Sequence, residues 1–173
     1  MTERMFSQAY DGKWDRESLD YLALYNEWHV VSRSEDVGSD KPVPVKLLGH
    51  KLALWRSEND VINVWLDYCA HRGAPLSLGT VKGCHLVCPY HGWEFNEMGD
   101  CVHVPAHPDS RPTQKKIVQR HRAEDRYGFI WVCLGEPRTA IPRLPHWDDK
   151  DFRKVAAGPY PGGFKSEVQR LKV

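Results

Sequence analysis

The 173-residue sequence predicts a mainly β fold, an antiparallel β sandwich or barrel preceded by one short helix. Three observations support this. Short runs rich in Val, Leu, Ile and Trp recur at close spacing, turn residues punctuate them, and the hydrophobic period shifts from helical toward two at Trp28.

Taken in order, residues 15–27 read as a weak amphipathic helix. Ser18 is placed to cap it, and Leu19, Leu22, Ala23 and Asn26 fall near one face. Trp28 to Val31 reads as a strand and Ser34 to Gly38 as a turn. Pro42 to Leu48 and Lys51 to Arg56 read as a hairpin about Gly49-His50. Val61 to Asp67 alternates as the next strand. Trp93 to Asn96 and Cys101 to Val104 flank the turn Glu97-Met98-Gly99-Asp100, and Ile117 to Ala123 and Tyr127 to Leu134 close the series. Beyond Pro137 the chain changes character. Prolines at 142, 145, 159 and 161, with Trp147 and Phe152 between them, predict an extended segment rather than a second core. The expected division is an N-terminal extension over 1–27, one domain over 28–137 and a Pro/Gly-rich extension over 138–173.

Composition bounds the function. Hydrophobic residues are 41% and charged residues 27%, ordinary for a globular chain, and the formal net charge of +1 gives no bulk field for nucleic acid or membrane. No apolar run approaches the roughly 20 residues that span a bilayer. Met1 to Tyr10 is polar, without a signal-peptide core, so the expected setting is cytoplasmic. Five cysteines make an odd count whose spacing is not that of a disulfide scaffold.

Two segments carry chemistry: Cys69-Ala70-His71 and Cys88-Pro89-Tyr90-His91, with sixteen residues between His71 and Cys88. Each offers one thiolate and one imidazole where a strand gives way to a loop. A Rieske-type 2Fe–2S cluster uses two Cys on one iron and two His on the other, so each loop must supply one ligand of each kind. Cys69 and Cys88 are the expected ligands of the inner iron, His71 and His91 those of the outer iron that takes the electron. A structural zinc site also uses Cys₂His₂, but normally as close Cys pairs followed by His pairs. Gly73 and Gly92 are expected to let backbone approach the cluster, and Pro75 and Pro89 to stiffen the loops. No residue is assigned as catalytic.

The segments Cys69-Ala-His-Arg-Gly-Ala-Pro-Leu76 and Cys88-Pro-Tyr-His-Gly-Trp-Glu-Phe95 resemble the N-terminal Rieske domain of Rieske non-haem iron oxygenases, the aromatic-ring-hydroxylating dioxygenases and related monooxygenases and demethylases. The resemblance spans roughly Trp28 to Pro137. It implies a Rieske-type antiparallel β sandwich with a small cluster-binding subdomain. Respiratory Rieske proteins have an extra Cys in each loop and a Ser after the second His-Gly. Here Gly73, Ala74 and Tyr90 supply no such pair, and Trp93 stands in place of the hydroxyl donor. A potential near the low end of the Rieske range is therefore expected, on the order of −150 mV.

An oxygenase of this kind also needs a mononuclear iron held by two His and a carboxylate. His103 and His107, His121 with Asp125, and His146 with Asp148 and Asp149 each lack a full set, and all read as surface histidines. The catalytic domain of the family is expected to be absent from this stretch of chain. The expected function is a 2Fe–2S electron-transfer domain or component of such an oxygenase system. It would take single electrons from a reductase or ferredoxin donor and pass them to a mononuclear iron centre on an oxygenase domain or subunit, with a homo-oligomer possible. The alternatives are a free-standing Rieske ferredoxin and a cluster-bearing sensor or binding module. Cys84, Cys101 and Cys133 read as buried thiols. Arg111, Lys115, Lys116, Arg120, Arg122 and Arg126 form a basic stretch that reads either as a solvated face or as a docking surface for an acidic redox partner.

Overall fold

Two tight turns set the registers of the large sheet. Leu48-Gly49 (φ 46° and 85°) joins β2 (Val43–Leu47) to β3 (His50–Arg56), and Tyr127-Gly128 (φ 60° and 73°) joins β9 (Arg120–Arg126) to β10 (Phe129–Cys133). Positive φ at both central residues is the type I′ geometry that matches strand twist, and it fixes Leu47 opposite His50 and Arg126 opposite Phe129. The sequence placed the first turn at Gly49-His50 and started the last strand at Tyr127. Both shift by one or two residues, because the left-handed pair must sit at the apex.

The structure is a computed structural model that describes residues 19–108 and 117–151, with the side chains of Leu19 and Asp20 left aside. With β1 (His29–Arg33) and β4 (Ile62–Leu66), the large sheet runs β1-β10-β9-β4-β3-β2, all antiparallel. Its end strands β1 and β2 approach one another, so the sheet folds over on itself around an interior. A second antiparallel sheet, β5-β6-β7-β8, is built from β5 (Thr80–Lys82), β6 (His85–Val87), β7 (Glu94–Asn96) and β8 (Cys101–His103). The hairpin of β5 and β6 was not legible as strand, whereas the equally short β7 and β8 were marked by the turn Glu97-Met98-Gly99-Asp100 between them. Ile117 enters only an isolated bridge with Asp100, so the strand expected from Ile117 begins at Arg120.

Two hydrophobic cores share β3 and β4. Leu52, Leu54 and Val64 pack with Val37, Ile130, Val132 and Leu134 inside the large sheet. Their neighbours Ala53, Trp55 and Trp65 turn the other way and pack with Leu76, Leu86, Phe95, Val118, Cys69 and Cys88. Successive strand residues point to opposite faces, so this segment is buried on both. The sequence showed the alternation in Val61 to Asp67 but not that both faces are covered. Trp55 and Trp65 meet edge to face at 5.0 Å, and Trp65 meets Phe95 at 6.4 Å.

The helix expected over 15–27 appears as α1 (Leu19–Tyr25), while residues 15–18, with the proposed cap Ser18, lie outside the described residues. It docks through Tyr21, whose hydroxyl lies 2.9 Å from Nε2 of buried His50. A backbone tie follows at Tyr25, whose carbonyl accepts the Gly135 N–H at 3.0 Å. Arg56 pins the end of β3: Nε donates to the Val37 carbonyl (3.0 Å), Nη2 to Asp125 (2.7 Å) and Nη1 to Asp60 (2.9 Å).

His121 was read as a surface residue, and the structure corrects this. It lies in β9 opposite Val64, with Nδ1 3.0 Å from the Leu134 carbonyl. Burial lowers its pKa, and the Leu134 hydrogen bond only partly opposes this.

The chain divides into two compact units, Met1–Ala140 and Ile141–Val173. The second is described as far as Asp151. There, turns are closed by the Trp147 N–H on the Leu144 carbonyl (3.2 Å) and the Asp149 N–H on the His146 carbonyl (3.3 Å). No helix among the described residues is long and apolar enough to cross a membrane.

Two outcomes follow from these contacts. Tyr21→Phe leaves the buried His50 nitrogen without this partner and should lower stability by about 1–3 kcal/mol in urea unfolding. Folded His121 takes up its proton at a lower pH than the unfolded group, which protonates below about pH 6.5. Below that pH the unfolded state binds more protons, so stability falls until the folded group itself protonates. The urea midpoint of the wild type should therefore drop more steeply between pH 7 and 5 than that of His121→Gln.

Candidate metal centre

The two ligand-bearing loops leave different sheets. Loop 1, residues 68–75, follows β4 of the large sheet and runs through the 3₁₀ turn Leu76–Leu78 into β5. Loop 2, residues 88–93, closes the hairpin of β6 and β7, whose last pair is Val87 opposite Glu94. Leu76 is fully buried in the same core as Trp65, which anchors loop 1 at both ends.

The loops repeat one backbone pattern. In loop 1, Cys69 N–H donates to the Ala74 carbonyl (2.9 Å) and Gly73 N–H to the Cys69 carbonyl (2.8 Å). In loop 2, Cys88 N–H donates to the Trp93 carbonyl (2.8 Å) and Gly92 N–H to the Cys88 carbonyl (3.1 Å). Both glycines are left-handed, Gly73 at φ 75° and Gly92 at φ 68°. The turn is thus set by the Cys-to-Gly distance, which is equal in the two loops. The His sits two residues after Cys69 but three after Cys88.

A side chain at position 73 has no space either, because its Cβ would lie 2.5 Å from the Tyr68 ring. The sequence assigned this glycine to close approach by the cluster; the structure adds Tyr68 as the group that covers it. Asp67 closes the base of loop 1, with Oδ1 accepting the Ser77 N–H and Oδ2 the Ser77 hydroxyl, both at 2.7 Å. Nothing in one sequence links an Asp to a Ser ten residues on, so this clamp was missed.

The candidate ligands come together as two like pairs, thiol with thiol and imidazole with imidazole. The Cys69 and Cys88 thiols are buried and within hydrogen-bonding reach of each other. Burial pushes the Cys69 thiol up to about 12; Cys88 adds to the rise, while the backbone N–H groups of His71 and Arg72 oppose it. Those two N–H groups are donors for a sulfur at this position. The His71 and His91 rings stand 4.7 Å apart at 60°, with His91 exposed and His71 half-buried. Trp93 stacks on His71 at 4.1 Å and 6°, and exposed Tyr90 lies against His91 at 3.9 Å and 34°.

This arrangement fits a dinuclear cluster. A thiol pair, an imidazole pair and backbone donors at one sulfur are what two irons bridged by sulfide ask for. The five cysteines are free. Cys133 is buried as expected, whereas Cys84 and Cys101 are only half-buried; Cys84 sits at a hairpin turn, held by Asn59 and Glu58. Of the basic stretch, Arg111, Lys115 and Lys116 lie outside the described residues. Arg120 donates to the Glu97 carbonyl, Arg122 pairs with Glu136, and Arg126 lies over the Tyr127 ring.

A buried thiol pair and a more exposed imidazole pair, carried on two matching loops, are the donor set of a Rieske domain. The chain belongs to the Rieske [2Fe-2S] domain family, whose pattern matches residues 27–120, and its cofactor is a Rieske-type 2Fe–2S cluster. Its relatives place it with the Rieske domains of non-haem iron oxygenase systems. The chain is 39% identical over 151 residues to methylxanthine N1-demethylase NdmA of Pseudomonas putida, covering 83% of this chain and 42% of that protein. It is 37% identical over 113 residues to oxidoreductase NdmD of Pseudomonas putida, covering 65% of this chain and 19% of that protein. The crystal structure of dicamba monooxygenase with non-heme iron and dicamba superposes with a TM-score of 0.66 at 38% identity, covering 75% of this chain and 40% of that one. The chain thus spans less than half the length of each.

Gly73→Ala should destabilise the domain by about 1–3 kcal/mol, since it meets both the left-handed backbone and the Tyr68 ring. Adding Tyr68→Ala should recover part of the loss but not the backbone share. Thermal unfolding of the two single variants and the double variant checks this; strictly additive losses would contradict the clash.

Proposed function

We propose that Cys69 and Cys88 hold one iron and His71 and His91 the other, and that the domain relays single electrons within an oxygenase system. The observation that carries this reading is the depth order of the pairs. The thiols are buried, at 1% and 2% exposure, while His91 reaches solvent. A relay needs its partner-facing ligands at the surface and its anchoring ligands inside. When bound, the cluster supplies reversible one-electron chemistry. The chain supplies the rest. Core packing of Cys69 and Cys88 excludes water, the backbone N–H groups of His71 and Arg72 face the Cys69 sulfur, and the Asp67–Ser77 clamp holds loop 1 in place.

The donor on this reading is a reductase or ferredoxin. The acceptor is a mononuclear iron centre on another domain or chain, which the likeness to demethylase and monooxygenase chains supports. A second reading is a carrier on the donor side, favoured by the likeness to an oxidoreductase. Five unpaired thiols are in keeping with a reducing, cytoplasmic setting.

Iron, acid-labile sulfide and zinc analysis with an EPR spectrum of the reduced protein tests the assignment. Equal iron and sulfide with a Rieske-type spectrum is expected, and stoichiometric zinc without sulfide would refute it. Cys69→Ser and His91→Ala should each lose most of the cluster. Because an indole stands where a hydroxyl donor would stabilise the reduced state, the midpoint potential should be on the order of −150 mV. A clearly positive value would contradict that. Stopped-flow mixing of the reduced domain with a separate oxygenase catalytic subunit tests electron transfer against a sensor role: fast reoxidation marks a carrier, inertness a sensor.

A further inference from the structure

We propose that Trp93 is a positioning residue that braces the two ligand loops against each other and fixes the plane of His71, leaving His91 as the freer imidazole. This rests on the assignment of His71 and His91 to the same iron. Trp93 belongs to loop 2, and the ring it covers belongs to loop 1. The stack is parallel within 6° at 4.1 Å. The Trp93 backbone is itself held, since its carbonyl accepts the Cys88 N–H at 2.8 Å and the next residue begins β7. Its indole packs on the core that contains Cys69, Cys88 and Phe95, with the Phe95 ring 6.5 Å away. A flat, anchored surface from one loop therefore meets the imidazole of the other.

No covalent link does this work, because all five cysteines are free. A stacked indole fixes ring tilt without placing a donor on the imidazole, so it orients a ligand without supplying a hydrogen bond to it. The companion contact at His91 differs in kind. Tyr90 is tilted by 34° and is 62% exposed, so it forms a loose cover on the solvent side. The two imidazoles are thus unequal: one is held from within, the other opens outward.

The test uses the full chain loaded with iron and sulfide, in wild-type, Trp93→Phe and Trp93→Leu forms. Pulsed EPR of the reduced protein reads the two imidazole nitrogen couplings separately. Trp93→Phe should keep both couplings as in the wild type. Trp93→Leu should broaden one coupling, leave the other unchanged, and release iron to a chelator roughly two- to tenfold faster. A Trp93→Leu protein matching the wild type in both readouts overturns the proposal, as does one in which both couplings change alike. Wild-type protein with no nitrogen couplings would instead overturn the ligand assignment. NMR of the metal-free chain gives an independent reading should Trp93→Leu load poorly. The His71 ring protons should be shifted upfield by the indole ring current in the wild type and remain so only in Trp93→Phe; unshifted wild-type signals overturn the proposal.

Discussion

Everything near the ligand loops depends on one segment of sheet being buried on both faces. Strands β3 and β4 send Leu52, Leu54 and Val64 into one core and Ala53, Trp55 and Trp65 into the other. The second core runs without interruption to Cys69 and Cys88. Trp65 is four residues before Cys69, so the strand that supplies the rigid wall also delivers the first ligand loop. Fixing loops against a packed wall suits a redox site, because small displacements of ligands are resisted by the whole core rather than by the loop alone.

On that base, two loops with the same backbone turn present a thiol pair at the bottom and an imidazole pair at the top. The repeated hydrogen bonds from each Cys to the residue five on, and from the Gly four on back to the Cys, place the cysteines equivalently. The Cys-to-His spacings differ, two residues in loop 1 and three in loop 2, and the two imidazole rings meet 4.7 Å apart. Ring contacts finish the tip, with Trp93 against His71 and Tyr90 against His91. Burial keeps the Cys69 thiol protonated when no metal competes, so iron must displace its proton to bind.

The sequence reading failed where distant segments meet. His121 looked like a lone surface histidine, yet its neighbours in space are Val64 and the Leu134 carbonyl, more than ten residues away on either side. Asp67 and Ser77, Tyr68 over Gly73, and Trp93 on His71 are likewise pairings across loops. The three-residue strands β5 and β6 were hidden because each is stabilised by its partner rather than by its own pattern.

What the sequence determined by itself was the chemistry and the class of fold. Cys-x-His and Cys-x-x-His name a dinuclear donor set because coordination chemistry limits which residues can serve. The alternating runs predict antiparallel strands because side chains alternate across a sheet. What only the tertiary structure decided was geometry: that the thiols lie inside while His91 reaches solvent, that the two loops share one backbone turn, and that an indole from one loop lies on the imidazole of the other. Those facts depend on how strands far apart in sequence pack, which local pattern does not encode.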